Sequence, residues 1–270
     1  LIGGNTNSKE GRIAIKALFD IYAKWVPEKN ILTTNVWSSE LSKLTANAFL
    51  AQRISSINSL SEVCESTGAD IQEVAKAIGM DSRIGPKFLQ AAVGFGGSCF
   101  QKDILNLVYL CSHYGLHEVA EYWHQVVKIN DYQKKRFSKK VINYLNDSNN
   151  EKHVAILGWA FKANTKDTRE SASIYIAQNL LNSGIDLNIF DPMVSSEQIK
   201  LDLKEVFQNS GKSEIEISKL LDHITIFNTY EEAITDVAAI CVLTEWEDFK
   251  NYDWNTINNM SKVFDGRNIN

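Results

Sequence analysis

The sequence predicts an α/β chain in which a helical central region precedes a doubly wound parallel sheet, with a short piece of another α/β sheet in front. Three observations carry this reading. Helical spacing of apolar residues dominates from residue 38 to residue 145. After the polar stretch Asn146–Glu151 the rhythm changes to short apolar runs separated by helices, the pattern of parallel strands joined by crossovers. Ahead of both, Leu1-Ile2-Gly3-Gly4 reads like the end of a buried strand.

In chain order, Ile13, Ala17, Leu18, Ile21 and Trp25 mark a helix over residues 9–25, and Asn30–Val36 is strand-like after Pro27. These read as the last strand–helix–strand of a sheet whose earlier strands are absent, so the chain is expected to be a fragment. Residues 38–65 give the longest helical signal. Ser38 is the expected N-cap, Glu40 complements the dipole, and Leu41, Leu44, Ala48 and Ala51 form one stripe. Gly68-Ala69-Asp70 ends this helix, and Asp70 caps a shorter one over Ile71–Ile78. Further helices are expected from Phe100 to Tyr114 and from Val119 to Leu145. Beyond the boundary, strands are expected at His153–Leu157, Asp186–Phe190, Ile224–Phe227, Ala238–Leu243 and Lys262–Phe264. Between the first two lies a helix over Ser173–Asn182, closed by Gly184. The domains are therefore 1–36, 37–147 and 148–270.

At 44% hydrophobic and 23% charged over 270 residues, the chain has the composition of a water-soluble globular protein with room for two cores. A net charge of -5 argues against a nucleic-acid partner. No apolar run approaches the ~18 residues of a membrane helix, and the first residues do not read as a signal peptide. Cys64, Cys99, Cys111 and Cys241 lie far apart, without CxxC or zinc spacing, which suits reduced thiols in the cytoplasm and no metal.

The sharpest local feature is Gly94-Phe95-Gly96-Gly97-Ser98-Cys99-Phe100-Gln101-Lys102-Asp103. Its glycines allow sharp turns and close approach. With Ser98 as cap, Cys99 falls in the first helical turn, where the dipole and Lys102 both favour the thiolate. A small buried residue beside a glycine turn is the plainer alternative.

This string resembles the active-site signature of the nucleotide-sugar dehydrogenases, which oxidise an alcohol to an acid. Gln101, where many bacterial members carry proline, resembles the eukaryotic members that act on UDP-glucose. Three more stretches resemble the family in order and spacing: Ser39–Ala51, Phe161–Ser171, and Phe264-Asp265-Gly266-Arg267. The resemblance implies a truncated NAD-binding Rossmann remnant at 1–36, a central dimerisation domain, and a Rossmann-like doubly wound parallel sheet that binds the UDP-sugar. It implies NAD as cofactor, UDP-glucose as substrate and a homo-oligomer built on a dimer. Cys99 would add to the aldehyde, forming a thiohemiacetal that is oxidised to a thioester. Lys43 and Asp103 would surround the reacting hydroxyl, and Asn47 would hydrogen-bond the substrate. Phe88, Gln90, Phe95 and Gly96 would close around the nucleotide sugar. Phe161, Lys162 and Arg267 would approach from the C-terminal domain, and Arg83 from a neighbouring subunit. Arg169, with Cys99 and Lys102, would meet the dinucleotide.

Read without the family, Lys43 is more often a solvated helix charge, Asp103 reads equally well as a first-turn dipole partner, and surface readings stand as the alternatives for Arg83 and Lys162. The second βαβ lacks GxGxxG, so Asp191 after its second strand is a weak ribose ligand, and a uridine-nucleotide shell suits the pattern better. Without the family's glycine-rich domain, the chain alone is expected not to turn over substrate. The rivals are oxidation of UDP-N-acetylmannosamine or GDP-mannose, and a non-catalytic dimerisation and nucleotide-binding module.

Overall fold

The computed structural model describes residues 1–147, 152–254 and 261–269. The first unit is β1 (Ile2–Gly3), α1 (Lys9–Tyr22) and β2 (Thr33–Thr34), with β1 parallel to β2. The strand expected at Asn30–Val36 is cut to two residues. Asn30 closes a 3-10 turn, and Asn35 already caps the next helix. α1 forms as expected, but Ile13, Leu18 and Ile21 on it, and Trp25 after it, lie exposed.

The helical region comprises α2 (Val36–Thr67), α3 (Ile71–Gly79), α4 (Phe100–His113) and α5 (His117–Asp147). α2 starts two residues before Ser38, because the Asn35 side chain accepts the Ser38 amide at 2.8 Å. It ends where Gly68 adopts φ 79° and donates to the Cys64 carbonyl, a left-handed cap free of Cβ strain. The buried residues Ala48, Ala51, Ser55 and Asn58 recur at three and four, so α2 presents a row of mostly small side chains to its neighbours. Ala48 and Ala51 share a core with Ile104, Leu107, Trp123, Val126 and Val127 of α4 and α5.

Five parallel strands form the C-terminal sheet: β3 (His153–Leu157), β4 (Asp186–Phe190), β5 (Ile224–Ile226), β6 (Ala239–Val242) and β7 (Lys262–Asp265). Their order is β5-β4-β3-β6-β7, so the chain reverses direction across the sheet between β3 and β6. This is the doubly wound order the alternating pattern predicts. α6 (Ala172–Asn182), α7 (Ser196–Asn209), α8 (Glu214–Leu221), α9 (Tyr230–Ala233) and α10 (Glu247–Lys250) complete the domain. The second half of α5 enters this core through Val141 and Leu145. Of the polar boundary stretch, positions 148–151 lie outside the described residues. Among the described residues no helix is long and apolar enough to cross a membrane.

Asp191, just after β4, is a structural hub. Its Oδ2 accepts the amides of Trp159 (2.6 Å) and Ala160 (3.0 Å) and the Trp246 indole N–H (3.1 Å), while Oδ1 accepts Met193 (2.9 Å) and Val194 (3.0 Å). Five donors saturate the carboxylate, so it ties the loops after β3, β4 and β6 together. Beside it Gly158 sits at φ 96°, and a Cβ there would fall 2.4 Å from that of Thr244. Removing the carboxylate leaves buried N–H groups unpaired. Asp191→Ala is expected to cost roughly 3–5 kcal/mol, read as a lower urea midpoint at unchanged slope.

Candidate active site

The segment between α3 and α4 has no regular structure over residues 88–96, so its backbone groups find partners elsewhere. The Arg53 guanidinium, on α2, donates to the carbonyls of Ile84, Gly85 and Lys87 at 2.7–2.9 Å. Ala92 is held from two helices: its amide donates to Asn58 Oδ1 (2.8 Å), and its carbonyl accepts Gln133 Nε2 of α5 (2.9 Å). The Asn268 side chain donates to Ala91 O, and the Val93 amide to Gly266 O, which fasten the segment to the end of the sheet domain.

Asn130, fully buried on α5, then reads both backbone groups of Phe95. Its Oδ1 accepts the Phe95 amide at 2.8 Å, and its Nδ2 donates to the Phe95 carbonyl at 3.1 Å. Gly94, at φ 123°, leaves the room for this clamp, since a Cβ there would lie 2.8 Å from Asn130 Oδ1. On the other side, a Cβ on Gly96 would meet the Glu170 carbonyl oxygen at 2.5 Å, and the Gly97 amide donates to Arg169 O at 2.8 Å. The glycines therefore let the loop lie between α5 and the turn ahead of α6.

This loop delivers Cys99 to the start of α4. Cys99 is itself the cap residue, not a first-turn residue behind a Ser98 cap, and its carbonyl accepts the Asp103 amide at 2.9 Å. The thiol is exposed, with Ser98 Oγ 3.7 Å from Sγ, whereas Cys64, Cys111 and Cys241 are buried. Burial pushes the Cys241 thiol well above its ordinary range.

One turn along, Asp103 is 6% exposed, and its Oδ2 accepts both Lys43 Nζ (2.6 Å) and Asn47 Nδ2 (2.5 Å) from α2. Burial pushes the carboxyl up. The hydrogen bonds from Lys43 and Asn47, with the charges of Lys43 and Lys102, outweigh it and hold the group below the usual carboxylate range. The result is an exposed thiol one helical turn from an anchored ammonium–carboxylate pair.

The sheet domain adds the opposite wall. Phe161 packs its ring 3.0–3.2 Å from where a Gly97 Cβ would be. Arg267, from the turn after β7, donates Nη2 to Phe161 O (3.1 Å) and Nε to Leu243 O (2.6 Å), with Glu245 3.3 Å away. Gln90 Nε2 donates to Arg267 O at 2.9 Å. Arg169 pairs with both oxygens of Asp167. This holds Asp167 below its usual value and raises Arg169, with the Cys99 charge adding the smallest upward push.

A model of the UDP-glucose/GDP-mannose dehydrogenase family's central domain matches residues 37–132, and one of its UDP binding domain matches residues 155–270. The chain belongs to the UDP-glucose/GDP-mannose dehydrogenase family. It is 55% identical over its whole length to a UDP-glucose 6-dehydrogenase of Gallus gallus, and 53% to UDP-glucose 6-dehydrogenase 1 of Glycine max. It covers 54% and 57% of those proteins, so the chain spans about half the length of the curated relatives it matches. Among solved structures, a UDP-glucose dehydrogenase of Pyrobaculum islandicum superposes with a TM-score of 0.77 at 28% identity, over 96% of this chain and 54% of that one.

Of the positions the family resemblance singles out, Lys43, Asn47 and Asp103 come together directly. Gly96, Phe161, Gln90, Arg267 and Arg169 meet across the seam between the helical region and the sheet domain. Phe95 turns its ring edge to Phe100, 5.7 Å away, within the helical core. Lys102 acts on the site through its charge on Asp103. Phe88 holds a left-handed φ of 61°, a strained state for an aromatic residue. Lys162 lies 5.5 Å over the Phe161 ring. Arg83 forms an exposed pair with Asp81 and joins no other site residue by a hydrogen bond or ion pair among the described residues. Arg53, Asn58, Asn130 and Gln133 hold the loop without any motif that marks them.

Two outcomes follow from this geometry. The lowered Asp103 pKa makes its ion-pair contribution complete above about pH 4, lost only as pH falls through the depressed folded value. With Lys43 largely exposed, the stability gap to Asp103→Asn is expected at about 1 kcal/mol, flat from pH 5 to 8 and closing in acid. Asn130→Leu strands two buried backbone groups and is expected to lower the unfolding free energy by about 2–3 kcal/mol.

Proposed function

We propose that the protein carrying this chain oxidises UDP-glucose to UDP-glucuronate in two two-electron steps through Cys99. The observation that carries the reading is the exposed Cys99 thiol placed one helical turn from the Lys43–Asp103–Asn47 cluster.

The first oxidation turns the primary alcohol into an aldehyde, which has no hydride to give until a nucleophile adds to its carbonyl. Cys99 Sγ supplies that nucleophile, forming a carbon–sulfur bond and a thiohemiacetal. A second oxidation yields a thioester, and water breaks the carbon–sulfur bond, releasing the acid and the thiol. Lys43 is assigned to stabilise the developing alkoxide, and Asp103, its partner at 2.6 Å, to keep it oriented and to take part in holding water. Asn47, whose amide donates to Asp103, is assigned to the sugar. NAD, when bound, is the hydride acceptor of both oxidations. Arg169, an exposed guanidinium within electrostatic reach of Cys99, and Lys102 suit the anionic face of such a dinucleotide.

Phe88, Gln90, Phe95 and Gly96 with Phe161, Lys162 and Arg267 are assigned to the nucleotide sugar. The uridine reading is supported by the UDP binding domain match over residues 155–270. Arg83, free of the rest of the site, is assigned to the neighbouring subunit of a dimer. We read the segment 1–36, the helical domain at 37–147 and the nucleotide-sugar domain at 148–270 as the corresponding division of labour, in a cytoplasmic enzyme.

The test is Cys99→Ser in the protein at the length of its relatives, assayed with UDP-glucose and NAD. UDP-glucuronate formation is expected to fall by roughly a thousandfold or more. Acid formed by the variant at the original rate overturns the reading.

A further inference from the structure

α5 carries a buried cation that the chemistry above does not use. Lys134 lies one turn beyond Asn130 on the same face of the helix, and its side chain is 3% exposed. A buried ammonium persists only with good partners. Lys134 Nζ has Asp131 Oδ1 at 3.1 Å, on the half-exposed side, and the Tyr175 ring centroid at 4.2 Å on the inner side.

Tyr175 continues the chain inward. Its hydroxyl donates to Glu170 Oε2 at 2.7 Å. Burial first, then that hydrogen bond, push the phenol far above its ordinary value, so it stays a donor. Glu170 in turn stands at φ 55°, a left-handed conformation that a glutamate keeps only when its surroundings hold it there.

The strained residue faces the thiol loop. The Glu170 carbonyl occupies the space above Gly96, and the preceding Arg169 carbonyl accepts the Gly97 amide. Two residues later comes Cys99.

We propose that Lys134 is a positioning residue: through the Tyr175 ring and hydroxyl it fixes Glu170 in its left-handed turn, and that turn's carbonyls set where Gly96 and Gly97, and hence Cys99, lie. Its consequence for catalysis rests on the assignment of Cys99 above, but the arrangement itself does not.

Amide hydrogen exchange on the protein at the length of its relatives, without substrate, tests it. Tyr175→Phe removes only the hydroxyl. It is expected to speed exchange at the Gly97 amide and across residues 165–171 by about tenfold, the size of one net hydrogen bond. Lys134→Met is expected to do the same and Lys134→Arg to restore protection, while amides of β4 and α7 stay unchanged in all three. Unchanged exchange at Gly97 in Tyr175→Phe overturns the proposal. So does an acceleration spread equally over β4 and α7, the mark of a residue that only fills the core. Should Lys134→Met fail to fold, Lys134→Gln takes its place, and unchanged exchange at Gly97 in a folded Lys134 variant also overturns the proposal. Because no turnover is read, a failure here is distinct from a failure of the catalytic role of Cys99.

Discussion

α5 is shared by two hydrophobic cores, and the rest of the arrangement depends on that. Over 31 residues it runs about 46 Å. Ala120, Trp123, Val126 and Val127 belong to the helical core, while Val141 and Leu145 belong to the core of the sheet domain. A helix anchored at both ends fixes the relative placement of the two layers that meet at Cys99. Its middle turn is polar for a reason. Asn130 and Gln133 face a segment whose backbone has no ladder, and they supply the partners that a strand neighbour would supply elsewhere.

A loop so held is irregular without being loose. Residues 91–97 are bonded to α2, to α5, to the turn after β7 and to the turn before α6. Such close approach from several sides leaves no room for Cβ atoms at Gly94 and Gly96, and the backbone at Phe88 and Glu170 carries left-handed strain. Strain of this kind costs about 1–3 kcal/mol per residue and survives only where surrounding contacts over-determine it. Here the surrounding contacts belong to the two cores that α5 joins, so the stability of the whole molecule maintains the placement of one thiol.

The elements whose burial follows a period were legible in the sequence. The strands from His153 and Asp186 form as the apolar runs predict, and Asp70 caps α3. Ends chosen between equivalent chemical groups were not. Asn35 and Ser38 both cap well, and Asn35 wins because it comes first and its side chain reaches the Ser38 amide. The exposed stripe of α1 shows the limit of periodicity, which marks an apolar face but not what lies against it. The site shows a sharper limit. Cys99 announces itself through its glycines, but Lys43 and Asp103 are 60 residues apart, and each alone is an ordinary helix charge. Asn130 and Arg53 are harder still, because their partners are backbone groups, which no sequence pattern distinguishes.

Open α/β sheets bind ligands beyond the carboxyl ends of their strands, where the strand order reverses. In this sheet that point lies between β3 and β6, and its innermost layer is taken by protein: Asp191 gathers Trp159, Ala160 and Trp246, and Thr244 closes on Gly158. A dinucleotide pyrophosphate laid on the first crossover would need that space, which accounts physically for the absent glycine fingerprint. The outer layer is built from the next residues along the same loops, Phe161 and Glu245, joined by Arg267 and Arg169. The glycine loop docks there through Gly97 and Arg169. The switch point is therefore displaced outward to a seam, one wall of which belongs to the helical region. A ligand seated there would touch both domains at once, with the sheet's loops on one side and the glycine loop that leads to Cys99 on the other.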